Sequence, residues 1–111
     1  MNSQTLLLEG SVNDRVEWCQ HSCGHVEILD IVVSSERGKG RGRRLIEGVL
    51  NKIPQLPLRC TLVYAITRSS NTVAHQFYEA CGFRIVGRLH YFYRDGDENQ
   101  FESALMYGRD V

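Results

Sequence analysis

Gly38, Gly40 and Gly42 alternate with Lys39 and Arg41, and Arg37, Arg43 and Arg44 flank them. Glycines let the backbone approach a ligand closely and take dihedrals barred to other residues. Where such a loop runs into a helix, the first helical amides lack intrahelical partners and face outward at the positive end of the helix dipole. That combination binds anions, and a phosphate or pyrophosphate is its natural guest. A solvated basic turn is the plain alternative for a Gly-rich loop standing alone. A second chemical set is Cys19, His21, Cys23 and His25, two residues apart. Such donors hold zinc, but the gaps of a zinc knuckle are absent and part of the segment reads as a turn. Disulfides among Cys19, Cys23, Cys60 and Cys81 would need an oxidising compartment, for which nothing else argues. The reading favours free thiols and no metal.

The elements that hold the loop follow from periodicity. Ile28, Leu29, Ile31, Val32 and Val33 favour a strand with Asp30 as its polar interruption, and Ser34, Ser35 and Glu36 leave it. Leu45, Ile46, Val49 and Leu50 recur at helical spacing, so the glycines open a helix over 40–52 that stops before Pro54. Upstream, residues 4–9 and 15–20 read as two antiparallel strands joined by a turn over 10–14. A further turn over 21–24 leads into the strand that starts at Val26 and runs to the glycine loop. Residues 59–67 are β-formers with little alternation, which suits a strand covered on both faces. Ser69, Ser70 and Asn71 offer caps for a helix over 72–81, with Val73, Phe77 and Ala80 facing inward and Gly82 as a left-handed stop. An aromatic strand over 84–93, a polar turn over 95–99 and a returning strand over 100–107 complete the chain.

At 111 residues the chain makes one domain, 1–111, with a single modest core. Thirteen basic and thirteen acidic residues balance to zero, which argues against a general nucleic-acid binder despite the local charge of the loop. No apolar run approaches the roughly 20 residues of a membrane span. The first residues carry no basic region ahead of their apolar stretch, a poor signal peptide. The expectation is a soluble, cytoplasmic protein with no membrane partner.

Spacing narrows the chemistry further. The loop lacks the Gly-Lys-Ser/Thr ending of a P-loop and the GxGxxG of a dinucleotide fold. It has Arg37-x-x-Gly40-x-Gly42 directly after the strand, which resembles the acetyl-CoA-binding signature of the GNAT superfamily of N-acetyltransferases. A second block, from Asn71 through Ala74, Phe77, Tyr78 and Glu79 to Gly82 and Phe83, is similar to that family's second motif. The resemblance implies an α/β fold: a mixed, mostly antiparallel central sheet with helices on its faces, in the order β-β-β-α-β-α-β-β. The family's usual extra N-terminal strand and helices are expected to be truncated here.

The resemblance also implies roles. Arg37, Gly38, Lys39, Gly40, Arg41, Gly42 and Arg43 would hold the pyrophosphate of acetyl-CoA, mainly through backbone amides. Ile31, Val32, Val33 and Ser34 would pair with the pantetheine arm, and Asn71 would touch the pantetheine or adenylate side. Tyr78 sits where the family commonly places the acid that protonates the departing thiolate, although Phe77-Tyr78 also fits a helix's packed stripe. A phenol in that role typically contributes about 10²–10⁴-fold. The base is Glu27 or Asp30, whose offset in a regular strand puts them on opposite faces. Glu27 is favoured, on the face of Leu29, Ile31 and Val33. His75 and His90 remain candidate proton carriers, Cys81 a packing residue, and at most one of Tyr91, Phe92 and Tyr93 a substrate contact, their plain role being cross-strand packing. The implied reaction moves an acetyl group from acetyl-CoA to a primary amine, small molecule or peptide, by direct transfer in a ternary complex. The alternative is a non-catalytic acyl-CoA-binding or regulatory module. A homodimer is expected from the truncation and an exposed strand edge.

Overall fold

The computed structural model describes residues 3–7, 13–33, 40–96 and 100–111. The fold is mixed α/β, with six mostly antiparallel strands and two α-helices in the expected order. Two compact units divide the chain: Met1–Val63 with Asp110–Val111, and Tyr64–Arg109.

In the first unit, β1 (Gln4–Leu7) pairs antiparallel with β2 (Arg15–Gln20), which pairs antiparallel with β3 (Val26–Val32). Val16 and Trp18 of β2 and Val26 and Ile28 of β3 are buried in the core. Helix α1 (Arg41–Lys52) adds Leu45, Ile46 and Val49 to it, the apolar positions of the helical pattern. Gly48 sits where a Cβ would stand 3.0 Å from Leu6 Cδ1, so a side chain there would press on β1. A 3-10 turn at Ile53–Gln55 takes Pro54 in its first positions and ends the helix.

The β2–β3 pairing corrects one expectation. Glu17 lies opposite Asp30 and Trp18 opposite Ile28, so Leu29 is an extra residue in β3. Such a bulge breaks the two-residue alternation. Residues directly opposite share a face, so Glu27 (opposite Cys19) and Asp30 (opposite Glu17) stand on the same face. Ile31, opposite Val16, faces the other way. The odd offset is cancelled by the bulge.

The second unit holds nearly all of β4 (Leu62–Arg68), then α2 (Thr72–Ala80), β5 (Arg84–Arg94) and β6 (Phe101–Asp110). β6 lies between β4 and β5. No residue of β4 is exposed, as expected of a strand covered on both faces. The inward face of α2 differs from expectation. Val73 is 59% exposed, and the buried residue is Tyr78. Packing against Tyr107 and Phe83 turns the helix about Tyr78, leaving Val73 and Ala80 on the outside. Gly82 ends the helix at φ 86°, in the left-handed region expected. Between Leu89 and Tyr93 the β5–β6 register slips, and Tyr91 takes φ 55° there. Among the described residues no helix is long and apolar enough to cross a membrane.

Candidate functional site

In the first unit Val33 follows β3, half-buried like Ile31 and Val32, and Gly40 stands at the start of α1. Ser34, expected at the pantetheine-pairing strand end, and Arg37, Gly38 and Lys39, expected in the pyrophosphate loop, lie outside the described residues. Gly40 caps α1 at φ 71°, a conformation that costs glycine little and other residues more. Its carbonyl accepts from the Arg44 amide at 3.0 Å. No side chain caps the helix and its first turn carries no acidic residue. The opening amides of Arg41, Gly42 and Arg43 thus stand at the positive end of the dipole, with no carboxylate of that turn to compete. Two of the described basic side chains at this helix start, Arg41 and Arg43, are paired within the chain. Arg41 donates to Asp14 Oδ2 at 2.8 Å, and Asp14 is fully buried. Arg43 lies 3.6 Å from Glu47 one turn on. A glycine-capped helix start of this kind can accept an anion on its backbone amides.

Glu27 stands in a different neighbourhood. Its Oε1 is 2.8 Å from His21 Nε2, and Cys19 Sγ lies 3.7 Å from the same nitrogen. Burial first, then the charge of Glu27, pushes the Cys19 thiol above its ordinary range. Cys23 is exposed, and neither it nor His25 joins this cluster.

In the second unit, Asn71 caps α2: its Oδ1 accepts from the Ala74 amide at 3.1 Å. Tyr78 is only 5% exposed, its ring among those of Phe77, Phe83 and Tyr107. Tyr107 donates to Glu79 Oε2 at 2.8 Å, and burial with that bond pushes its phenol up. Of the other residues singled out for chemistry, His75 and Cys81 are tied into this unit and His90 is exposed. His75 Nε2 lies 2.9 Å from the Arg68 carbonyl and its ring stacks on Tyr107, while Cys81 is buried. Tyr93 lies beneath the Arg68 guanidinium, 4.3 Å from its centroid, whereas Tyr91 and Phe92 are exposed.

Glu102 is a charged centre that sequence reading missed. It accepts from the Ser70 amide at 2.7 Å, the Ser69 hydroxyl at 3.2 Å and Arg68 at 3.1 Å. Hydrogen bonds from Ser70 above all, with Arg68 and Ser69 adding, hold its carboxyl down at about 2. The partners lie more than thirty residues away in sequence, so no local spacing announces them.

Comparisons with known proteins bear on both units. A model of the acetyltransferase (GNAT) family matches residues 10–83. No curated protein matches the sequence. Among solved structures, Arabidopsis thaliana NAA60 in complex with acetyl-CoA is 30% identical, with 78% of this chain and 48% of that one covered and a TM-score of 0.65. The same protein with a bisubstrate analogue aligns over 88% of this chain and 64% of that one, with a TM-score of 0.73; at 24% identity it speaks for the fold alone. Ard1 from Thermoplasma volcanium is 26% identical over 93% of this chain and 66% of that one, with a TM-score of 0.74. The chain spans between about half and two thirds of the length of these proteins.

Proposed function

The chain belongs to the GNAT acetyltransferase family, and we propose that it transfers an acetyl group from acetyl-CoA to a primary amine, directly, in a ternary complex. The observation that carries this reading is the start of α1: a left-handed glycine cap and a first turn free of acidic residues. The residues fit a pyrophosphate there. Gly40, Arg41, Gly42 and Arg43 offer amides, with Arg37, Gly38 and Lys39 expected to extend the cradle. Ile31, Val32 and Val33 present backbone to the pantetheine arm, with Ser34 expected to continue them. Acetyl-CoA supplies the activated acetyl thioester. Tyr78 gives its phenolic proton to the departing sulfur, and Glu27 accepts the proton that the amine loses. The His21 contact orients the Glu27 carboxylate for that step. The acceptor is a small molecule or a peptide, and the setting cytoplasmic, which the free cysteines support.

The acyl-CoA-binding module is a second reading, favoured by the burial of Tyr78 among aromatic rings. Calorimetric titration with acetyl-CoA, free CoA and an adenine nucleotide lacking pantetheine tests the cradle. Binding that weakens without pantetheine is expected, and no binding to any of the three would sink both readings. Tyr78→Phe then separates them. An enzyme loses about 10²-fold or more in turnover at unchanged acetyl-CoA affinity. A module shows no acceptor-dependent thiol release in either form.

A further inference from the structure

The β2–β3 hairpin brings three different metal-ligating groups to one place. Cys19 and Glu27 are direct cross-strand partners, and His21 follows Cys19 by two residues as the chain enters the turn. Cys19 Sγ and His21 Nε2 are 3.7 Å apart, His21 Nε2 and Glu27 Oε1 2.8 Å, and all three donor atoms lie within 4.8 Å of one another. We propose that Cys19, His21 and Glu27 form a binding site for a divalent ion of the zinc class.

The distances suit that ion. Ligands about 2.0 Å (N, O) and about 2.3 Å (S) from a tetrahedral zinc stand roughly 3.3–3.5 Å from one another. The Cys19–His21 spacing is already close to this, the His21–Glu27 contact needs to open by only about 0.5 Å, and the widest separation in the cluster, up to 4.8 Å, to close by about 1.3 Å. Thiolate, imidazole and carboxylate together match a borderline-soft cation rather than calcium or magnesium. Thiolate and carboxylate also balance its two positive charges. As the metal–sulfur bond forms, the Cys19 proton passes to solvent.

The hairpin holds its donors in place before any ion arrives. The His21 amide donates to the His25 carbonyl at 2.8 Å, and the Gly24 amide to the His21 carbonyl at 2.8 Å. Gln20 Nε2 braces the turn through the carbonyls of Gly24 at 3.0 Å and Leu58 at 2.7 Å. His21 also lines an open cleft of about 300 Å³ with Gln4, Ser22 and Leu56 among its walls. The His21 side chain is 36% exposed, which leaves water able to reach it as a fourth ligand. The site stands on this geometry and not on acetyl transfer. An ion bound there engages the carboxylate that the proposed reaction uses as base, so bound metal and that role of Glu27 exclude one another.

The test is titration of the reduced, chelator-treated protein with Co2+, followed by absorption. A near-ultraviolet thiolate-to-cobalt band saturating at one ion per chain, and bleached by Zn2+, is expected. Cys19→Ser should abolish the band, His21→Gln should weaken binding by about tenfold or more, and Cys23→Ser should leave both unchanged. Circular dichroism of each variant shows whether it is folded, and His21→Gln keeps the thiol while removing a half-exposed ligand. Absence of the band in the folded wild type overturns the proposal. So does a band that survives Cys19→Ser or disappears in Cys23→Ser.

Discussion

Arg41 answers to two demands at once. The motif places it at an anion cradle, while the fold closes its guanidinium on Asp14, a carboxylate with no exposed side-chain surface. Breaking a buried pair by removing one partner is costly because the remaining charge stays desolvated. Arg41→Ala should therefore cost about 3 kcal/mol, read as a lowered urea midpoint. Arg44→Ala, at the same helix end, should leave stability within about 0.5 kcal/mol. Glu102 makes a prediction in pH. Its folded value of about 2 lies below the ordinary 4.5, so its contribution is complete above about pH 4.5 and lost as pH falls toward 2. The stability difference between wild type and Glu102→Gln should be constant from pH 7 to about 5 and close between 4.5 and 2. Neither contact is written in local sequence. Asp14 and Arg41 lie 27 residues apart, Arg68 and Glu102 34, and only folding shows which charges meet.

The elements were far more legible, because periodicity is local. Helix α1 begins at Arg41 against an expected 40, and α2 ends at Ala80 against an expected 81. What escaped was register. A single extra residue, Leu29, changes which side chains share a face of β3, and nothing in the β-branched run around it signals the slip. The aromatic partners that turn α2 about Tyr78 are likewise set by Phe83 and Tyr107, outside the helix. Asn71 shows a residue whose element role is plain whatever else it does. Asn71→Ala removes the acceptor for the Ala74 amide and should destabilise the protein by about 1 kcal/mol, while Asn71→Asp should retain most of the stability. Thermal or urea melts of the two variants check this. Equal losses in both would mean that the cap contributes nothing.

For the molecule as a whole, fold class was readable since two ordered motifs and the element sequence agreed, a consistency across levels that marks a specified fold. Assembly is less visible. β5 ends its unit's strand order and exposes Ile85, Val86, Tyr91 and Phe92, an edge of the kind that pairs with another chain. The proposed homodimer predicts sedimentation at twice the chain mass, and Tyr91→Lys with Phe92→Lys should return the protein to monomers. A monomeric mass for the wild type at working concentration rules the dimer out. The cysteines give the molecule its own clock. Cys23 is exposed whereas Cys19, Cys60 and Cys81 are buried. A thiol-alkylating reagent should therefore mark one position at once and the other three only as β2, the approach to β4 and the end of α2 open. The order in which mass increments accumulate would time the opening of each region, without any residue of the chain being changed.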